Sequence, residues 1–383
     1  MRRSLSSKWV VAALFFALAV FLFFWKPPAG PVKVELLPFS DSLPSWNGSY
    51  PFLIISLNHS DSNRPSFHTS VRLVSPTVRH NAPVDEFEVD LHSGMFIVRQ
   101  TDLFVPDVVP LALIRTYRVW NANSMAFGAG TNHPYDIAPT GTRNPYTYMD
   151  INLEDGRQMH FQRISKGEGY ANAVFRHEET SSEFYGAQVA WNGNGWNLDF
   201  KDGQRFVFPE AYYAKSLAQG AAWMMRDEHG RKIQLHRDQN RNLVELVSPS
   251  GKAISFKYDE LNRIVKGADD QGNARFYHYD SSGHLETVSD SSQLLFRFEY
   301  QHLMNVKNYD PYMMTAIRDG NDKVLLKNSY LPSGQISEQK VANGDVYRYR
   351  YIFKKGEIVE TIVDQPSGER MFYFEGEKFL REK

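Results

Sequence analysis

Tyr258-Asp259-Glu260-Leu261-Asn262-Arg263-Ile264 and, 21 residues later, Tyr279-Asp280-Ser281-Ser282-Gly283-His284-Leu285 are two copies of one pattern. The tyrosine position recurs at Arg237, Tyr258, Tyr279, Tyr300, Tyr330, Tyr351 and Tyr373. The steps are 21 residues with two exceptions: 300 to 330 carries nine more and 351 to 373 one more. A period of this length marks a repeat architecture and fixes the fold before any single residue does.

Other positions keep the same phase. Two places before the step stand Leu235, Phe256, Tyr277, Phe298, Asn328, Tyr349 and Met371. Most units therefore read aromatic, any residue, tyrosine, which is strand alternation with both rings on one face. Four places after the step come Arg241, Asn262, Gly283 and Gly334, and Gly356 comes at five places. Asn and Gly accept the positive φ of a tight turn. Leu243, Ile264, Leu285 and Ile336 restart an apolar strand, and Gly251, Gly272 and Gly344 mark a second turn fourteen places after the step. Each unit is strand, turn, strand, turn. The predicted fold is all-β, a stack of β-hairpins, preceded by one N-terminal transmembrane helix.

That helix rests on Trp9 to Trp25, an uninterrupted apolar run. As a helix it would span about 25 Å, close to the ~30 Å of a hydrocarbon core. Arg2, Arg3 and Lys8 precede it, so the positive-inside rule keeps the N-terminus cytoplasmic and exports the chain beyond Lys26. A cleaved signal peptide is the competing reading, but Trp25-Lys26-Pro27-Pro28-Ala29-Gly30-Pro31 offers no small-x-small site directly after the run. The expectation is a single-pass inner membrane protein whose bulk is periplasmic or extracellular.

Composition narrows the chemistry. With 43 basic and 44 acidic residues the formal charge is −1, which gives no electrostatic reason to expect nucleic acid. There are no cysteines, so disulfides and thiolate metal sites are excluded.

The chain is read as a cytoplasmic tail (1–8), an anchor (9–25), a spacer with strand-like runs at Phe52–Leu57 and Val71–Val74 (26–83), a cap of the array (84–139), degenerate hairpins (140–230) and regular repeats (231–383). Asp155-Gly156 before Phe161 and Asp202-Gly203 before Phe208 are hairpin signals in the degenerate part. Tyr212 to Met225 is the single helical candidate outside the anchor.

The Tyr-Asp units resemble the YD repeat of the Rhs family. Upstream, Val89-Asp90-Leu91-His92-Ser93-Gly94, Thr101-Asp102-Leu103, Pro110-Leu111, Arg115-Thr116-Tyr117 and Phe127-Gly128-Ala129-Gly130 resemble the domain that precedes the repeats in Rhs proteins, with Asp107 and Thr131 departing from the usual glycine and tryptophan. The resemblance covers residues 84 to 375. It implies a spiral sheet of hairpins, closed in large members into a shell around a toxin. About seven units are in register here, and the one Asp-Pro, Asp310-Pro311, continues as Tyr312-Met313 and not as the family's C-terminal core block. An open scaffold is therefore expected in place of a toxin capsule.

Catalytic constellations are thin. Asp238, Asp259 and Asp280 recur at equivalent places, whereas a general acid and base need different environments. They are read as turn formers. The 12 histidines include no helical metal pair, and His177 beside Glu178 and Glu179 is read as a surface residue. No phosphate loop or nucleophile elbow is present. No catalytic residue, metal or cofactor is expected. The repeat rings are read as core packing. Trp191, Trp196 and Trp223, outside the periodic register, are the candidate binding residues.

The expected function is that of a non-enzymatic, membrane-anchored, exported scaffold binding a protein or carbohydrate at the cell surface. One alternative is part of a split or truncated Rhs toxin shell, and another is an exported enzyme acting on polysaccharide.

Overall fold

The computed structural model describes residues 32–33, 58–59, 85, 87–119, 124–179, 182–302, 311–376 and 378–383. The chain divides into two units, Met1–Leu73 and Val74–Lys383. In the first, Val32–Lys33 pairs antiparallel with Asn58–His59. The apolar run 9–25 and the strand-like runs 52–57 and 71–74 lie outside the described residues. Among the described residues no helix is long and apolar enough to cross a membrane.

The second unit is built on one antiparallel sheet of twenty-two strands, from Ala138–Gly141 to Lys378–Glu382, rolled into a barrel. Every ladder described in it joins strands consecutive in the chain, such as Ala253–Tyr258 with Ile264–Asp269 and Ala274–Tyr279 with Leu285–Ser289. The predicted turns carry the predicted backbone. Asn262 and Gly283 stand at φ 61° and 89°, Gly251 and Gly272 at 88° and 91°. Arg241 adopts φ 71° at the same phase, where a Cβ is strained. The repeat aspartates hold these turns: Asp259 Oδ1 accepts the amides of Leu261 and Arg263, and Asp280 Oδ1 those of Ser282 and His284. The helical candidate 212–225 reduces to one turn, Leu217–Gly220, and then the strand Met224–Arg226.

The step position itself is a β-bulge. Register shifts fall between Lys257 and Tyr258, His278 and Tyr279, Glu299 and Tyr300, and Ser329 and Tyr330. A bulge re-aims its side chain, and here each tyrosine hydroxyl donates to a backbone carbonyl of the preceding hairpin, as does that of Tyr351, whose ladder shifts between Ile352 and Phe353. Tyr258 reaches Leu243 (2.8 Å), Tyr279 Ile264 (2.5 Å), Tyr300 Leu285 (3.0 Å), Tyr330 Met314 (2.6 Å) and Tyr351 Ile336 (2.8 Å). Arg237, at the same phase, places its Nε 3.0 Å from the carbonyl of Ala222 and makes the same clip with a guanidinium.

The last unit departs from this. The tyrosine spacing, here 22 residues, places Tyr373 as a seventh equivalent position, but its hydroxyl meets the Met371 sulfur, at 3.4 Å, and Phe372, 21 residues after Tyr351, and Phe374 are the buried residues of that strand. The core side of this strand keeps the strict 21-residue step, and Tyr373, one residue later, falls on the other parity, because a one-residue slip in a strand exchanges its two faces.

The described residues between 85 and 137, within the segment 84–139 read from the sequence as a cap on one end, run along the sheet and contact repeat after repeat. Their frame is the strand Ile97–Val105 paired with Leu111–Arg118. Asp102 accepts from Arg115 Nε (3.0 Å) and Nη2 (3.3 Å) in burial, and Tyr277 of the sheet donates to the same carboxylate (2.9 Å). The Met314 amide donates to the Tyr117 hydroxyl, the Tyr349 hydroxyl to Asp85, and the Thr361 hydroxyl to the Leu91 carbonyl. The expected open slab is thus a rolled sheet whose inner face is occupied by its own upstream segment.

Candidate functional site

The upstream motifs owe their residue types to this docking. Gly94 lies against Tyr351, where an added Cβ would stand 2.8 Å from the ring, and its carbonyl accepts the Ile336 amide. Gly128 lies against Tyr279, where a Cβ would be 2.3 Å from the Gly283 carbonyl oxygen. The Ile264 amide donates to the Ala126 carbonyl, and the Ala129 amide to that of Gly283. Both glycines also have positive φ, 72° and 85°. Asp107, standing where the family usually has glycine, accepts from Ser250 Oγ at 2.7 Å, while Lys252 reaches the Pro106 carbonyl. This face of the repeats is committed to the chain itself.

The accessible chemistry lies in the degenerate hairpins. Trp191 and Trp196 are directly opposed across a ladder, rings 5.2 Å apart. Trp196 is 1% exposed and belongs to the core, so it corrects the expectation of a surface binding residue: its ring is enclosed by Phe175, Tyr146 and Trp191. Trp191 is partly exposed and carries Tyr170 edge-on at 4.9 Å. Tyr170 is 48% exposed, in a loop that Arg163 organises. That guanidinium donates to the carbonyls of Tyr146, Ser165, Lys166 and Gly169 and to Asn172 Oδ1.

The rings continue past Tyr146. Arg143 stands over Tyr146 at 5.6 Å and over Tyr212 at 5.3 Å, and is paired with Glu210 at 3.2 Å. Asn144 donates its side-chain amide to the Tyr212 hydroxyl, and Tyr213, 87% exposed, meets Tyr212 edge-on at 4.7 Å. The result is a platform of exposed rings interleaved with an amide, a carboxylate and a guanidinium. Trp223 is half exposed, in a segment whose amide donates to Val207 and whose carbonyl accepts from Leu235. None of the ring contacts among the described residues joins it to the platform. Nothing periodic in the sequence marks Tyr170, Tyr212 or Tyr213 as members of a site.

One pair of neighbouring carboxylates elsewhere is buried. Glu154 and Asp155 are 3% and 1% exposed, with Arg99 at 3.6 Å from Glu154 and Arg157 at 2.7 Å from Asp155. Burial, then the neighbouring Asp155, pushes the Glu154 carboxyl up. Two carboxylates held in different environments have the form of an acid and base pair, yet neither is open to a substrate. His177, expected at the surface, is 1% exposed and bonded through Nδ1 to the His160 carbonyl.

Residues 87–161 match the model of a domain of unknown function, DUF6531. Two proteins of Dickeya dadantii (strain 3937) are similar to much of the chain. The probable deoxyribonuclease RhsA is 23% identical over 260 residues, 59% of this chain and 17% of that protein. The probable deoxyribonuclease RhsB is 22% identical over 243 residues, 55% of this chain and 16% of that protein. These matches support an Rhs/YD-repeat family member. The DUF6531 match takes in the segment docked on the sheet, the first hairpin of the sheet itself, Ala138–Gly141 with Tyr148–Asn152, and the start of the next strand, Gln158–Arg163. The chain spans about a sixth of the length of these curated relatives, 17% and 16%. Among solved structures, the crystal structure of TcdB2-TccC3-Cdc42 is similar over 72% of this chain and 19% of that one, at 12% identity and a TM-score of 0.30. The crystal structure of TcdB2-TccC3 without its hypervariable C-terminal region gives 13% identity and 0.31, covering 72% of this chain and 15% of that one. Likeness this loose carries no functional argument.

Proposed function

We propose that this Rhs/YD-repeat chain is a membrane-anchored, exported scaffold that acts by binding rather than by catalysis, and that the ring platform of Tyr170, Trp191, Tyr212 and Tyr213 takes carbohydrate at the cell surface. The observation that carries the reading is the organisation of the platform before any ligand arrives. One arginine, Arg163, serves five acceptors around the loop that presents Tyr170. Side chains and loops already ordered lose little freedom on binding. Sugar rings offer C–H faces to aromatic rings and hydroxyls to amides and carboxylates, and Asn144 and Glu210 stand among the rings to receive them.

The test is a neutral glycan array probed with the full chain, and then tryptophan fluorescence titration of the best ligand. Tyr170→Ala and Tyr213→Ala should abolish or strongly weaken binding at an unchanged melting midpoint, since both side chains are substantially in solvent. A ligand bound equally by both variants refutes the platform. Extraction at alkaline pH checks the anchor: release of the chain from membranes argues against it.

A second reading rests on the 17% and 16% coverage of the relatives. The chain then supplies part of a larger shell completed by another polypeptide, and co-expression with a neighbouring repeat-bearing chain should give a stable complex.

A further inference from the structure

Six charged side chains meet where the docked segment crosses the first strands of the sheet. Glu88, Asp90 and Arg99 come from the segment, Arg99 on its strand Ile97–Val105. Glu154, Asp155 and Arg157 come from the turn between Tyr148–Asn152 and Gln158–Arg163. Arg99 reaches across to both carboxylates of the turn, 3.6 Å from Glu154 Oε1 and 4.0 Å from Asp155 Oδ2. Glu88 adds its charge beside Arg99, and Asp90 beside Arg157. Fully ionised, the group would set these four carboxylates against two guanidiniums.

The two carboxylates of the turn are unequally provided for. Asp155 accepts Arg157 Nε at 2.7 Å and the Arg157 backbone amide at 3.1 Å. Glu154 Oε1 is buried and accepts no hydrogen bond among the described residues, since its approach to Arg99 is too long for one. Arg99 Nε and Nη2 are likewise buried and donate none among the described residues. The Arg99 and Arg157 side chains keep 22% and 23% exposure, whereas Glu154 and Asp155 keep 4% and 0%, so dehydration falls hardest on the carboxylates. A carboxylate stripped of water, unbonded at one oxygen and beside a second negative charge is costly to ionise. A proton on Glu154 removes that cost and leaves Arg99 to balance Asp155.

We propose that this cluster is a pH-responsive clasp between the docked segment and the first strands of the sheet, closed while Glu154 carries a proton and loosened when the proton leaves. Burial, then the neighbouring Asp155, pushes the Glu154 carboxyl above its ordinary 4.5, with Arg99 and Arg157 opposing. When the clasp opens, Glu154 returns to water and to that ordinary value. The closed state therefore holds the proton more tightly: its stability is fully present below pH ~4.5 and is lost as pH rises through the raised value. The sense is opposite to that of the buried His133, whose charged form burial disfavours. A global melt mixes the two contributions, and only a local readout separates them.

Hydrogen exchange of the full chain, followed by mass spectrometry from pH 5 to 8 and corrected for the intrinsic pH dependence of exchange, gives that readout. The Ile97 amide is bonded to the Glu88 carbonyl, the Leu153 amide to that of Arg157 and the Gly156 amide to that of Leu153. Peptides covering 88–99 and 150–158 should therefore lose protection as pH rises, by up to about tenfold per pH unit for one proton. Peptides from the regular repeats, such as 253–269, should not follow. Glu154→Gln, a neutral side chain of the same shape, should keep high protection at every pH and exceed the wild type at pH 8. An infrared difference spectrum between wild type and Glu154→Gln at pH 5 should show the carbonyl band of a carboxylic acid. Protection in the wild type that is flat or rises with pH, or a slope that survives in Glu154→Gln, overturns the proposal. So does a loss of protection in Glu154→Gln at every pH, because it would mean that the charged carboxylate holds the segment.

Discussion

Replacing Tyr279 by phenylalanine removes one oxygen and leaves the rest of the site in place. The ring keeps its contact with Gly128 and its position under the Arg263 guanidinium, 4.2 Å away. The loss is the hydroxyl donor to the Ile264 carbonyl, from a partly buried residue packed against the core. A hydrogen bond of this kind contributes about 0.5–1.5 kcal/mol net, and stripping a sheltered acceptor adds desolvation, so the expected loss is about 1–2 kcal/mol. Tyr373→Phe is the internal control. Its hydroxyl meets a thioether and clips no hairpin, so its substitution should stay within about 0.5 kcal/mol. Tyr277→Phe bounds the series from above. It withdraws a donor from the buried Asp102 carboxylate, and bonds to charged groups contribute about 1.5–3 kcal/mol. Urea unfolding of the full chain by tryptophan fluorescence, read as a shift of midpoint at constant slope, gives all three. Equal losses at Tyr279 and Tyr373 would refute the clip, because sequence phase alone treats the two as equivalent.

Gly128→Ala should destabilise severely, by more than about 3 kcal/mol, because positive φ and a 2.3 Å clash with the Gly283 carbonyl act together; Gly251→Ala, at φ 88° with open space around it, should cost only about 1–2 kcal/mol in thermal melts. Asp102→Asn should cost about 3–5 kcal/mol by leaving the Arg115 charge buried without its partner, measured by urea unfolding. His133 is fully buried among Phe127, Tyr135 and Phe256; burial holds its pKa below the usual value, with Asp136 opposing and Arg237 reinforcing. The unfolded chain takes up a proton below pH ~6.5 and the folded one does not, so stability is present above that pH and falls below it, by up to about 1.4 kcal/mol at pH 5.5; His133→Phe should flatten that slope in urea midpoints taken from pH 7.5 to 5.5.

The hairpin stack was legible because its signals are local. Alternation has period two, and positive φ admits few residue types, so Phe256, Tyr258, Asn262 and Gly272 each announce a place in the unit without knowledge of the rest. Three features were hidden. The core position of the last unit is Phe372, at the strict 21-residue step, and Tyr373 one residue later looks like its predecessors until the burial of that strand is known. The clip by Arg237 needs a donor at the step position, which a ring-based motif does not specify. The docking of residues 84–139 along the sheet rests on pairs separated by up to 270 residues, such as Leu91 with Thr361, that no local pattern encodes. Trp196 misleads for a related reason. Being out of phase with the repeat suggests freedom, but the short turn Asn192-Gly193-Asn194-Gly195 sets it opposite Trp191 across the ladder, and its side of that ladder is the core.

A ligand site can arise in a repeat protein only where its side chains are released from structural duty. In the regular units the tyrosine is fixed twice, by its carbonyl clip and, at Tyr279 and Tyr351, by a glycine of the docked segment against its ring. A side chain under two constraints has no freedom to acquire a ligand. In the degenerate hairpins those constraints are absent: the Tyr146 and Tyr212 hydroxyls meet Arg143 and Asn144 side chains in place of a preceding hairpin, and Tyr170 and Tyr213 reach solvent. Loss of register therefore does more than erode the repeat. It frees rings, and the platform forms among the freed ones. On the outer face the regular units have the opposite freedom, since neither clip nor docked segment reaches it, and there the charges can be opposed across the ladders at Lys257 and Lys266 without disturbing the packing on the other side.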